Sequence, residues 1–460
     1  MDRFFDLTGR GTTVAREVRG GVTTFVAMAY IVLLNPIILG GARDITGARL
    51  SVPQLTTMTA LSAAIATIAM GLIGNVPMAL AAGLGVNAVV AFQAAPRMTW
   101  PQAMGLVVLD GAIIIILAVT GLREMIMNAI PLFLKHAISV GIGCFIAFIG
   151  FVDAGFVGPG DGTPVTLGIG GHLRGWPVLV FCLGLLLMIV LYVRRIPGAL
   201  LISIAAATVL ALILQHTTRI PDKTWGTVVP DWPHRVFAWP DFGLFGQIDV
   251  FGGFGRAGFV TALVVLFTLV LSGFFDAMGT ILGLSDEAGM VGQDGRVPGL
   301  GRILAVDGAS ALLGGVTSSS ANTVFVESAA GIGEGARTGL ANIVTGLLFT
   351  ATLFVTPLAS TVPAQAATPA LVVVGALMMT QVARIDWSDL ALTIPAFVTI
   401  VLMPFTYSIT TGVGAGVIVH TVVMAGRGRA KEAGWLLWII SAIFVVYFGL
   451  TIVEQVLGVK

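Results

Sequence analysis

Apolar residues gather along this chain in long runs separated by short polar breaks. About 20 residues at ~1.5 Å rise cross a ~30 Å hydrocarbon slab, so each run predicts a membrane-spanning helix. The runs are 21–40, 56–74, 79–94, 102–121, 136–153, 177–193, 198–215, 258–282, 301–314, 320–331, 337–357, 366–382, 389–405, 408–424 and 435–453. Two of them, 79–94 and 320–331, are too short or too interrupted for ordinary spans. The last follows the basic stretch Arg427 to Lys431, and the pattern leaves open whether it spans or lies against the membrane.

One long polar loop, 216–256, carries Trp225, Trp232 and Trp239 and divides the spans into seven before and, with 435–453 set outside the repeat, seven after. An odd number gives the two halves opposite topology, the inverted-repeat plan of many secondary transporters. Faint internal similarity agrees: Pro131 precedes a helix with Gly143, Pro363 one with Gly375, and the Gly74–Asn87 stretch parallels Gly315–Glu327. The expected fold class is therefore all-α and polytopic, with about fourteen spans in two inverted repeats and spans 3 and 10 broken by short extended strands.

Composition supports the membrane reading, with 57% hydrophobic and only 10% charged residues, against about 25% charged in an average soluble domain. A net charge of +1 gives no reason to expect nucleic acid. Cys144 and Cys182 fall inside apolar runs and read as small packing residues rather than a disulfide. The five histidines are scattered without metal-ligand spacing, so no metal and no cofactor is expected. The first twenty residues read as a charged, amphipathic cytosolic lead-in without a cleavable signal. Lys and Arg concentrate on one side when the N-terminus is placed inside, which predicts an inner-membrane protein with a cytoplasmic N-terminus.

Four acids fall within apolar runs: Asp110, Asp276, Asp307 and Glu327. A charge at the centre of a span costs roughly 2.5–3.5 kcal/mol, so such an acid needs a partner or a wet cavity. Asp110 and Asp307 lie outside the broken segments and read as polar residues bonded to neighbouring helices. Glu327 follows Thr317 to Thr323, a run of small hydroxyl and amide residues that disfavours helix. That run predicts an extended piece feeding a half-helix whose first amides face the middle of the membrane. Gly83 and Gly85 stand at the matching place in span 3, where glycine lets backbone approach a flat ligand. Ordinary Gly-rich helix packing would explain 79–87 equally well.

Met28 to Leu39 (MAYIVLLNPIIL), Leu80 to Asn87 (LAAGLGVN), Phe275 to Thr280 (FDAMGT), Val326 to Gly339 (VESAAGIGEGARTG) and Met403 to Ile409 (MPFTYSI) resemble the AzgA-like purine permeases, a branch of the nucleobase/ascorbate transporter superfamily. The resemblance covers nearly the whole chain. It implies proton-coupled uptake of purine bases such as hypoxanthine, guanine or adenine. It also implies a core domain in two pieces, 1–125 and 257–358, and a gate domain in two, 126–216 and 359–426. An extracytoplasmic loop, 217–256, and a C-terminal segment, 427–460, complete the division. Thr280 stands where uracil-type relatives carry histidine, and Ala277 and Ala82 depart from the family pattern.

By position, Asp276 and Glu327 match the family's two ligand-binding acids, with Asp276 as the proton-coupling group. Glu327 offers two acceptor oxygens to the N–H edge of a base. Gly85, Val86, Asn87, Ser319, Ser320 and Thr323 would add donors, and Phe275 and Phe325 stacking faces. The expected partners are a purine base, protons, the lipid bilayer and, as one option for assembly, a second copy of the chain. Uracil/xanthine-type transport and sulfate-type anion transport are the rival readings, the latter disfavoured by the two acids. A membrane-embedded enzyme lacks a convincing nucleophile–base pair, so no enzymatic activity is expected.

Overall fold

The computed structural model describes residues 2–120, 130–160, 162–218, 220–226, 228–233, 235–290 and 297–456, apart from the side chains of Arg3, Phe274, Phe275, Asp276, Met278, Leu282 and 450–456. The boundary expected at 125/126 lies outside the described residues. The helices that build the fold, two of them short half-helices, are α1 Val14–Met28, α2 Ile31–Gly41, α3 Val52–Ala69, α4 Leu84–Val89, α5 Trp100–Thr120, α6 Leu132–Asp153, α7 Trp176–Val193 and α8 Ala199–Thr218. After the polar loop come α9 Phe259–Glu287, α10 Leu300–Val316, α11 Ser328–Gly333, α12 Gly339–Thr352, α13 Pro369–Met378, α14 Leu390–Phe405, α15 Ile409–Gly426 and α16 Trp435–Val456. Four short strands complete the fold: β1 Leu80–Ala82, β2 Val157–Gly158, β3 Thr166–Leu167 and β4 Asn322–Val324.

Eight helical stretches among the described residues are long and apolar enough to cross a membrane, and four shorter apolar helices accompany them. The chain is a mostly helical, multi-pass membrane protein. Helices α1, α3, α5, α10 and α12 pack in one group, and α6, α13, α14 and α15 in another. Both broken segments are present. β1 pairs antiparallel with β4, Leu80 opposite Val324 and Ala82 opposite Asn322. The ladder extends one bond at each end, from the Gly83 amide to the Ala321 carbonyl at 2.9 Å and from the Phe325 amide to the Ala79 carbonyl at 3.0 Å.

Such a ribbon has two open edges, and buried backbone groups must find partners. Side chains supply them. The Thr67 hydroxyl accepts from the Leu80 amide at 3.0 Å and donates to the Leu80 carbonyl at 2.9 Å. The Ser328 hydroxyl accepts from the Ala79 amide at 3.0 Å, and the Asn342 amide group donates to the Met78 carbonyl at 2.7 Å.

One expectation changes and two gain detail. The N-terminal lead-in runs into α1, which begins at Val14, and Glu17 is fully buried. Its carboxylate accepts from the amides of Arg337 at 2.7 Å, Thr338 at 3.2 Å and Ala341 at 3.1 Å, capping the start of α12. The C-terminal segment is one continuous helix, α16, packed on α15 and α9. Phe444 fills the space over Gly414, and Ser441 bonds Thr421 at 2.9 Å. Asp110 is not bonded to a neighbouring helix: both carboxyl oxygens are buried without a partner among the described residues. The cause is its neighbourhood, in which α5 packs on α10 so closely that a Cβ at Gly111 would lie 2.2 Å from the Leu312 amide nitrogen.

Candidate functional site

Each half-helix starts where its strand ends, so the site is built on the ribbon. Thr317 to Ser319 form a turn after α10, with Ser318 at φ 54° and Ser320 at φ 67°. Those left-handed residues reverse the chain and deliver Asn322 into β4. Small hydroxyl side chains bear this conformation better than branched apolar ones, though at a cost.

A buried amide–hydroxyl network ties the two broken segments to the first and second spans. Asn87 on α4 donates to the Asn35 side-chain carbonyl at 2.7 Å. Asn35 donates in turn to the Thr59 hydroxyl at 2.7 Å and to the Ser319 carbonyl at 3.0 Å. The Ser319 hydroxyl donates to Ser62 at 2.8 Å, and Ser62 to the Asn322 side chain at 3.3 Å. Asn322 closes the network on the Ser310 carbonyl at 2.8 Å. Asn87 and Ser319 are thus held by one residue, Asn35. Thr323 touches span 3 directly, since a Cβ at Gly83 would lie 2.7 Å from its Cγ2.

Three polar atoms in this network have no partner among the described residues: Asn87 Oδ1, Ser320 Oγ and Thr323 Oγ1, all buried. A buried unpaired polar atom costs roughly 1–3 kcal/mol, a penalty that a polar ligand would remove.

Glu327 stands at the other end of the ribbon, immediately before α11 and half-buried. It accepts from the Tyr30 hydroxyl at 2.6 Å. Tyr30 itself is 1% exposed and sits in the turn between α1 and α2. The expected row of unused half-helix amides is shorter than the sequence implied. The amides of Ser328, Ala329 and Ala330 are taken by the carbonyls of Phe325, Val326 and Glu327. The chain makes a tight turn here, so the Glu327 carboxylate is the prominent polar group at this end. Phe325 is buried in the core.

Gly85 and Val86 lie in the first turn of α4. A Cβ at Gly85 would come 3.2 Å from Ile142 on α6 and 3.3 Å from Ser272 on α9, so this turn abuts both of those helices. The side chains of Phe275 and Asp276 lie outside the described residues. Their backbone is in α9, which packs against α4, β4 and α11.

Sequence reasoning missed four contributors. Tyr30 and Asn35 were visible only as parts of a motif, and nothing in their spacing disclosed partners far along the chain. Gln93 and Thr410 join across the two helix groups: the Gln93 side-chain carbonyl accepts from the Thr410 amide at 3.2 Å and also from its hydroxyl. Thr410 also contacts the Thr268 hydroxyl at 3.1 Å. Beside this bridge, Tyr407 packs edge-on against Phe92 and Phe145.

A cavity of about 390 Å³ borders Phe92 and is lined also by Asp153, Arg174, Lys223 and Gln365 among others. Among the described residues no His, Cys, Asp and Glu side chains cluster as a metal site would need.

A family model described as "Permease family", Xan_ur_permease, matches residues 15–414. The chain is 36% identical to the guanine/hypoxanthine permease PbuG of Bacillus subtilis over 453 residues, 97% of this chain and 99% of that one. It is 36% identical to the adenine permease AdeP of Escherichia coli, covering 97% and 95% of the two chains. Among solved structures, the transmembrane domain of the cyanobacterial bicarbonate transporter BicA aligns with a TM-score of 0.63 at 16% identity, over 87% of this chain and 97% of that one. Murine Slc26a9 aligns with a TM-score of 0.62 at 13% identity, over 90% and 68%. At such identities the structural likeness speaks for the fold alone.

Proposed function

The chain belongs to the Xan_ur_permease family of permeases, and from that premise we propose that it takes up purine nucleobases by proton symport across the inner membrane. The named relatives are permeases, and three of the similar ones carry guanine, hypoxanthine or adenine in their names. The observation that carries the reading is the β1–β4 ribbon, which brings unpaired Asn87, Ser320 and Thr323 atoms and the Glu327 carboxylate onto one scaffold. A purine edge offers both N–H donors and ring-nitrogen acceptors. Glu327 suits the donors, and the hydroxyl groups of Ser320 and Thr323 can meet the acceptors. The first-turn amides of Gly85 and Val86 add donors that the helix itself does not use.

Fourteen spans in two inverted repeats fit the recurrence of helix, short strand and short helix around β1 and around β4. The two helix groups support the division into core and gate, with 1–125 and 257–358 against 126–216 and 359–426. The N-terminus is taken as cytoplasmic. The cavity bounded by Phe92 and Asp153 then lies toward the exterior and serves as a vestibule. Between it and the ribbon, Phe92, Phe145 and Tyr407 form the barrier that the core must pass.

Asp276 is the proton site in this reading. Protonation removes the cost of carrying a bare carboxylate past the apolar barrier, so the base-loaded core moves only with its acid neutral, and the core returns once base and proton have both left. The full chain in proteoliposomes tests the reading. An inward proton gradient should drive accumulation of radiolabelled hypoxanthine, guanine or adenine, with loss of uptake in Glu327→Ala. Equal uptake of uracil, sulfate or bicarbonate, or purine uptake indifferent to the gradient, would refute it.

A further inference from the structure

Asp110 lies in the middle of α5 with 0% of its surface exposed. Neither carboxyl oxygen has a hydrogen-bond partner among the described residues. The carboxyl points to a seam rather than into featureless packing. At Gly273 on α9, a Cβ would lie 4.0 Å from Asp110 Oδ2, 3.8 Å from Val86 on α4 and 3.9 Å from Ile114. The missing side chain of Gly273 therefore leaves Asp110 beside the half-helix that carries Gly85, Val86 and Asn87. Gly273 is also about one helical turn before Asp276 on the same helix.

A carboxylate stripped of water and of every partner is too costly to stay ionised, and the group takes up a proton instead. The titratable side chains on the elements packed against α5 are Arg302 and Asp307 on α10, Asp276, Asp286 and Glu287 on α9, and Arg256 on the turn Gly252–Arg256. Among the described residues no side chain bonds Asp110.

We propose that Asp110 is a second proton-binding carboxyl of the transport cycle, placed behind the half-helix of span 3 and emptied when water reaches the seam beside Gly273. This rests on the proton-symport reading. In the closed seam the Asp110 O–H bond is intact. When water reaches the seam, that bond breaks, the proton passes to water, and the carboxylate left behind takes a proton back on the other side.

The test counts protons taken up per hypoxanthine in proteoliposomes holding the full chain and a pH-sensitive dye, with base exchange as a check on folding. Asp110→Asn keeps the shape and loses the titration. It should exchange hypoxanthine at near the wild-type rate while its proton-to-base ratio falls to about half. An unchanged ratio in an exchange-competent Asp110→Asn overturns the proposal and leaves symport through Asp276 standing. A wild-type protein that moves no protons with its base instead refutes the symport reading itself. Should Asn abolish exchange, Asp110→Glu decides: exchange with the full ratio supports a titrating role, and its loss assigns Asp110 to packing and overturns the proposal.

Discussion

The Tyr30 hydroxyl donates to Glu327 Oε1 at 2.6 Å across 297 residues of sequence. This bond fixes the rotamer of the acid proposed to grip the base and ties the first span to the second broken segment. Tyr30→Phe keeps the ring and removes only the donor. A hydrogen bond to a charged group is worth roughly 1.5–3 kcal/mol, so purine affinity should weaken by about tenfold or more. Hypoxanthine binding by calorimetry on purified protein checks this, and a near wild-type dissociation constant would refute the positioning role.

The ribbon makes a steric prediction that can be cross-checked. Gly83→Ala puts a methyl group 2.7 Å from Thr323 Cγ2. Overpacking of this kind costs about 1–3 kcal/mol. Thr323→Ser deletes the opposing methyl, so the double variant should recover most of the thermal stability lost in Gly83→Ala. Additive losses would mean that the two residues do not press on each other.

Glu17 offers a test of the junction between α1 and α12. Its carboxylate accepts three backbone amides at the start of α12. Glu17→Ala strands those donors in a buried place, at roughly 1–3 kcal/mol for each one left unmet. A melting temperature several degrees lower is expected, with Glu17→Gln intermediate, because its amide oxygen still accepts.

The exposed Asp389–Arg427 pair predicts a pH response by its sign. The Arg427 guanidinium, bonded at 2.7 and 3.3 Å, and the Ala391 amide hold the Asp389 carboxyl below its ordinary range. A depressed folded-state value gives stability that is present above the usual carboxylate range and lost as pH falls through the depressed value. Across roughly pH 6–8 the pair stays ionised. Asp389→Asn should leave the transport–pH profile unchanged there, measured as initial uptake rates. A shifted profile would place a coupling group on the surface and count against Asp276 and Asp110.

Much of the plan was readable from the chain. The hydroxyl-rich run Thr317 to Thr323 announced extended backbone because small polar side chains compete with helical hydrogen bonds. The acid at Glu327 stood out because a carboxyl among apolar residues needs a reason. The surroundings of Asp110, which was read as bonded to a neighbouring helix, and of Glu17, which carried no reading of its own, were hidden for a common cause. Spacing along one helix reports which face a residue occupies, but not whether a neighbouring helix offers it a donor. Asp110 meets close backbone packing and no donor, whereas Glu17 meets three amides from residues more than 300 positions away.

The sequence by itself determined what belongs to local chemistry: apolar runs long enough to cross a bilayer, two interruptions in them, and an acid, Glu327, in one of those interruptions. Only the tertiary structure decided that the interruptions pair as one antiparallel ribbon, that Asn35 joins Asn87 to Ser319, and that Tyr30 holds Glu327. The reason is physical. Crossing length and backbone propensity are properties of consecutive residues, while a hydrogen bond between distant segments exists only once packing has brought donor and acceptor within about 3 Å of each other.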